Sequence, residues 1–164
     1  MGTRGHHAGM ITVAMLFLVS EGVRRSGLLE ALLRKLLPKR QGAGERQVQS
    51  RMLPVVAFIS AFLNNTPVVV IFAPMIKRWA ERHGMAATKL LIPLSYATIL
   101  GGVCTLIGTS TNLVVHGMVI DAGYTGFTMF ELGKVGVVIA IVGLLYVWLV
   151  SPILLPEQRT DRGE

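Results

Sequence analysis

Two short polar clusters interrupt otherwise apolar sequence, Asn64-Asn65-Thr66-Pro67 and Gly108-Thr109-Ser110-Thr111-Asn112. Their side chains carry amide and hydroxyl oxygens and no charge. Such oxygens suit a hard cation such as Na⁺. Each cluster also stands just before an apolar stretch, where a helix can begin. A helix start aims unpaired N–H groups and the positive end of its dipole outward, and both attract an anion. A helix end presents unpaired carbonyls, which attract a cation. A place where helices stop and restart can therefore hold an anion beside a cation without any ionised side chain.

The neighbouring residues are consistent with that chemistry. Ser60 lies four positions before Asn64, one turn back on the same helical face. No Asp, Glu, Lys or Arg occurs from Met52 to Ile76 or from Leu90 to Ile120. A proton pump relaying through buried carboxylates needs at least one such group. Paired carboxylates and a nucleophile–base set are missing too, which argues against an enzyme. His116, one turn beyond Asn112, reads as a packing histidine. The lone Cys104 sits in an apolar stretch and reads as a small packing residue.

The elements that must position these clusters belong to a bilayer. The chain has 164 residues, of which 52% are hydrophobic and only 15% charged. Its mean hydropathy is +0.58. A soluble domain of this size cannot hide so much apolar side chain, and a disordered chain would not contain it. Lys and Arg number 16 against 9 Asp and Glu. They fall in blocks, from Arg24 to Arg51 and from Lys77 to Lys89, separated by uncharged runs. Basic loops between apolar spans describe membrane topology, so the basicity does not predict a nucleic-acid partner.

The fold class predicted is all-α integral membrane, containing a re-entrant helical hairpin and a discontinuous transmembrane helix. Residues 1–9 read as a disordered tail, 10–156 as a partial membrane domain and 157–164 as a second tail. Met10 to Ser20 is apolar but too short to cross a bilayer core of about 30 Å. Leu28 to Leu37 reads as an amphipathic interfacial helix stopped by Pro38, and Gln41 to Ser50 as a polar loop. Met52 to Ile76 has the length of one span, yet its midpoint is the Asn-Asn-Thr-Pro cluster. A polar break at that depth is tolerated only where it is buried in protein or lines a wet cavity. The reading is two half-helices, with Thr66 as N-cap and Pro67 as first helical residue. Leu90 to Ile120 is too long for one straight span and divides into a helix from Lys89 to Leu106, a loop, and a half-helix from Thr111 to Val119. Phe130 to Leu155 is one clean spanning helix.

A single polar break is often only a kink or a helix–helix hydrogen bond. Two breaks in consecutive runs favour a transporter site. The segments Ser60–Ile76 and Lys89–Gly117 resemble the divalent anion:sodium symporter family, within the wider citrate-transporter-like and arsenite-exporter superfamily. The resemblance runs from about Val13 to Pro156. In that family a Ser-Asn-Thr tripeptide at the tip of a re-entrant hairpin binds Na⁺ and substrate; here Asn64-Asn65-Thr66 is in its place. The resemblance implies a Na⁺ site from Ser60, Asn64, Asn65 and the backbone of Gly108, with Asn65, Thr66 and Thr109 facing the substrate. Dicarboxylate members have two prolines where Ser110-Thr111 stands, so sulfate-like oxyanions and di- or tricarboxylates both stay open.

The resemblance further implies Na⁺-coupled uptake of a divalent anion by an elevator-like movement, in a multi-pass protein of the plasma membrane with no organic cofactor. Such transporters pair two inverted repeats, and homodimers are their precedent. This chain holds one repeat, so the expectation is a fragment or first half that needs a second half. Two alternatives remain at this point: a proton-coupled or arsenite-exporting relative, and a truncated scaffold that transports nothing. Transport requires both polar tips to converge, and an unbroken helix from Met52 to Ile76 would defeat it.

Overall fold

The computed structural model describes residues 25–37 and 44–155 continuously, and residues 11, 15, 18, 19 and 21–23 besides. The two predicted tails, and most of Met10 to Ser20, lie outside the described residues. Among the described residues there is no strand, and six helices follow residue 27: α1 Leu28–Leu36, α2 Glu45–Phe62, α3 Asn65–Arg82, α4 Thr88–Gly102, α5 Ser110–Asp121 and α6 Gly133–Leu154.

The amphipathic helix is present as α1. Gly27 precedes it in the left-handed region at φ 69°, which an L side chain rarely adopts. Leu29, Leu33 and Leu37 recur every fourth residue and are buried, while Glu30, Arg34 and Lys35 point outward. Leu37 is extended (ψ 124°), as a residue before proline must be.

Contrary to the loop expected up to Ser50, residues Glu45 to Ser50 already form the first turns of α2. Their polarity has partners within the fold. Gln49 is fully buried; its amide nitrogen donates to the Lys89 carbonyl at 2.9 Å, and its amide oxygen accepts from the Ser151 hydroxyl at 3.0 Å. Glu45 meets the Lys89 ammonium at 3.2 Å, both largely shielded from solvent. Polar groups so paired can be buried without the penalty of isolated ones.

These contacts fix the topology. Glu45 and Gln49 place the start of α2 beside the start of α4, and Ser60 to Thr98 (2.8 Å) joins their far ends. The two helices therefore run parallel. The intervening α3 must travel back, since only residues 83–87 separate its end from α4. Chain reversal occurs at Leu63-Asn64. On α3, Val68, Phe72, Ile76 and Ala80 make one fully buried stripe. They meet Val48, Met52, Leu53 and Val56 of α2 and Leu90 and Leu94 of α4 in a single core.

Helix α6 returns along α4. It begins where Gly133 and Gly136 lie against the carbonyls of Cys104 and Val103, and its far end brings the Trp148 indole to the Arg46 carbonyl at 3.3 Å. Small residues let membrane helices approach this closely. Among the described residues α6 is the one helix long and apolar enough to cross a membrane. It starts three residues after the predicted Phe130, because residues 128–132 form a turn in which Glu131 accepts the Thr128 N–H at 3.0 Å.

Candidate functional site

The first interruption lies where the sequence places it. α2 ends at Phe62, Leu63 and Asn64 are extended (ψ 140° and 142°), and α3 begins at Asn65. The cap differs from the expected one. Asn64, not Thr66, is the N-cap, with its side-chain oxygen 3.5 Å from the Thr66 N–H. Pro67 is thereby the third helical residue. It is still tolerated, because the N–H groups of the first helical turn have no acceptor within the helix.

The second interruption comes earlier than expected. α4 stops at Gly102 rather than at Leu106, residues 103–108 turn, Thr109 is extended, and α5 starts at Ser110. Gly101 and Gly102 are the last residues of the helix, and neither has room for a side chain. A Cβ at Gly101 would run into the Ala57 carbonyl of α2, and one at Gly102 would lie 2.6 Å from the Asn65 amide oxygen.

Both interruptions meet in one place. Ser60, fully buried, has its hydroxyl oxygen 2.7 Å from Asn65 Oδ1 and 2.8 Å from the Thr98 carbonyl. Gly108 packs so tightly against Gly102 and Ala61 that a Cβ there would meet the Gly102 carbonyl, and the Ala61 carbonyl at 3.0 Å. Of the residues singled out in the sequence, Ser60, Asn65 and Gly108 are thus gathered around Gly102. Asn64 turns its side chain onto its own helix, Thr66 is exposed, and Thr109 is half-buried at the entrance to α5.

The site also contains Thr105, which no sequence motif marks, and Asn112 from the second polar cluster. Thr105 is buried; its hydroxyl donates to the Ala61 carbonyl and accepts the Gly108 N–H at 3.1 Å. The Asn112 amide donates to the carbonyls of Thr105 (2.8 Å) and Gly102 (3.3 Å). Carrying α4 on to Leu106 hid Thr105 inside a helix. The available signal was the Gly-Gly pair, since glycine is a weak helix former. His116 packs as expected, with Nδ1 accepting the Phe127 N–H at 2.9 Å.

Chemically the cluster is rich in acceptors. Ser60 has one hydroxyl proton for two nearby oxygens, those of Asn65 and Thr98. The carbonyls of Ala61, Gly102 and Gly108 crowd the same region. An uncharged set of converging oxygens fits a hard monovalent cation and offers nothing to a soft metal. Next to it α5 begins with no side-chain cap on its first N–H groups, the arrangement that favours an anion.

Interrupted helices whose polar turns converge are a recurring feature of secondary transporters. The chain belongs to the citrate transporter family, whose sequence pattern matches residues 5–162. It is 42% identical to an uncharacterized transporter of Synechocystis over 93% of this chain and 25% of that protein. It is 41% identical to sodium/sulfate cotransporter 2 of Chlamydomonas reinhardtii, over 92% of this chain and 18% of that protein. An uncharacterized Escherichia coli transporter is 31% identical over 94% of this chain and 25% of its own length. The chain thus spans about a quarter or less of the length of these three relatives. No solved structure matches it at a significant level. Family and relatives are transporters rather than enzymes, and the chain is a membrane protein.

Proposed function

We propose that this chain supplies one half of a Na⁺-coupled transporter for a sulfate-like divalent oxyanion, in the multi-pass membrane part of a plasma-membrane permease. The observation that carries the reading is the meeting of the two interruptions: the Asn65 amide at the hairpin tip lies against Gly102, Ala61 lies against Gly108, and Ser60 links Asn65 to the Thr98 carbonyl. In this reading Na⁺ is a co-transported substrate held by Ser60, Asn64, Asn65 and the Gly108 carbonyl. The anion lies toward Asn65, Thr66 and Thr109, near the starts of α3 and α5. The α2–α3 hairpin enters and leaves the same face of the bilayer with its tip at Asn64.

Support for sulfate over carboxylates comes from the three Chlamydomonas proteins named as sodium/sulfate cotransporters, one of them as probable, at 41–43% identity. Support for a half comes from the single pair of interruptions, where inverted-repeat transporters build one site from two. A second copy of the complete permease is its expected partner, and lipid its solvent.

A chimera tests this. The chain replaces the matching segment of the Chlamydomonas cotransporter 2, and uptake of ³⁵S-sulfate is measured with Na⁺ or K⁺ outside. The expected result is Na⁺-dependent uptake by the chimera and none by the chain alone. A chimera that reaches the membrane but takes up sulfate equally in K⁺, or not at all, contradicts the reading.

A further inference from the structure

We infer that Thr105 is a positioning residue for the cation site: its hydroxyl straps the end of α2 to the turn after α4, fixing the distance between the hairpin tip and Gly108. The inference rests on the Na⁺ reading above and assigns the device that holds that site together.

The strap has two links through one oxygen. Thr105 Oγ1 donates its proton to the Ala61 carbonyl, four residues before Asn65, and its lone pair accepts the Gly108 N–H at 3.1 Å. Ala61 is one residue past Ser60, and Gly108 offers the carbonyl proposed to face Na⁺. Thr105 therefore touches no proposed ligand atom, yet it is bonded to the backbone on both sides of the site. Its own placement is fixed from outside. Asn112, in the first turn of α5, donates to the Thr105 carbonyl at 2.8 Å and to the Gly102 carbonyl at 3.3 Å. The arrangement joins the end of α2, the end of α4 and the start of α5 through two side chains, without an ionised group.

This matters because Na⁺ selects its site by the spacing of its oxygens. Ser60 and Asn65 ride on the hairpin, whereas Gly108 rides on the turn. Outer groups that orient ligands change metal affinity about 10- to 100-fold when removed. Neighbouring glycines add no freedom to the turn, since Gly102 and Gly108 are already in backbone contact. Without the Thr105 hydroxyl the buried Ala61 carbonyl loses its side-chain donor, and the Gly108 amide keeps only its longer bond to the Thr105 carbonyl at 3.4 Å. The end of α2 is then no longer tied to the turn.

The native chain has one cysteine, Cys104, beside Thr105 and only partly buried. The test uses the full chain in lipid nanodiscs and follows maleimide labelling of Cys104 against Na⁺ concentration, with K⁺ holding ionic strength constant. The readout is the Na⁺ midpoint of protection rather than the absolute rate, which any change next to Cys104 would alter. T105V keeps the shape and removes the hydroxyl; T105S keeps the hydroxyl. The expected result is a midpoint raised at least tenfold in T105V and within twofold of native in T105S. Should T105V not fold, N112L loosens the strap from the half-buried side and is expected to raise the midpoint likewise.

A native midpoint in T105V, or in N112L where that variant is used, overturns the inference and leaves the Na⁺ reading standing. A T105S midpoint raised as far as that of T105V shows that shape alone matters, and also overturns it. Native protein indifferent to Na⁺ removes the cation reading, and the inference falls with it.

Discussion

Alanine at Gly101 is expected to unfold the α2–α4 contact. The Cβ of G101A would overlap the Ala57 carbonyl oxygen and lie 2.7 Å from both the carbonyl carbon and the Cα of Ala57. All three are backbone atoms of a helix buried on this face, so no rotamer change relieves them. Overpacking a core commonly costs 1–3 kcal/mol, and a backbone obstacle puts this case at about 3 kcal/mol or more. That is a large fraction of the roughly 5–15 kcal/mol that holds a domain together. Separating α2 from α4 also breaks the Ser60–Thr98 contact of 2.8 Å and so dismantles the site. The check is thermal melting by circular dichroism in detergent, with G117A as control. Gly117 has open space where its Cβ would go. G117A should melt at or above the native temperature, and a G101A melting with the native chain would show that the helices are not in backbone contact.

Asn65→Ala is expected to spare the fold and to weaken the response to Na⁺ severely. Asn65 is the first residue of α3, half-buried, and its amide lies between Ser60 and Gly102. Removing it leaves Ser60 bonded to the Thr98 carbonyl, so no buried hydroxyl is orphaned. The cation, by contrast, loses a direct oxygen ligand and the partner that orients Ser60. A loss of at least about 100-fold in apparent Na⁺ affinity is expected, above the 10- to 100-fold typical of outer-shell partners. Measured in the sulfate-uptake chimera, N65A should need far more Na⁺ for half-maximal uptake while reaching the membrane normally. Asn64→Ala makes an informative comparison. Asn64 caps α3 through the Thr66 N–H, so N64A costs about 1 kcal/mol of stability. Because Asn64 is also a proposed Na⁺ ligand, N64A should raise the Na⁺ midpoint too, and a native midpoint would reduce Asn64 to a cap. An N65A chimera with the native midpoint would refute the assignment of Asn65.

Much of the fold was legible because local chemistry dictated it. Two asparagines, a threonine and a proline inside an apolar run cannot continue a lipid-facing helix, and the chain does break there. Leucines every fourth residue before a proline specify α1. The apolar run after Phe130 forms α6 with its ends moved by a few residues. The failures have physical causes too. Glu45 to Ser50 reads as a loop because its polarity is visible in sequence, while its buried partners Lys89 and Ser151, far along the chain, are not. The end of α4 was overrun because Val103, Leu106 and Ile107 prolong the apolar pattern past the glycines that end it. The cap fell on Asn64 instead of Thr66, since either side chain can accept from the first turn and only the backbone decides. Within the site, Ser60, Asn65 and Gly108 could be named from motif and position. Their meeting could not, because it rests on long-range pairs such as Ser60 with Thr98 and Thr105 with Ala61. Thr105 carried no motif at all, and its importance is visible only in three dimensions.

The central claim is that the two interruptions together form one cation site linked to an anion. Equilibrium binding of ²²Na⁺ to the purified chimera in nanodiscs, where the second half is present, tests it most directly, measured with and without sulfate. If the ions share a site, sulfate tightens Na⁺ binding by the factor by which Na⁺ tightens sulfate, as linkage requires. The account predicts saturable ²²Na⁺ binding that K⁺ does not displace, that sulfate strengthens, and that N65A weakens severely. Binding that is non-saturable, or saturable but the same in N65A, would contradict it.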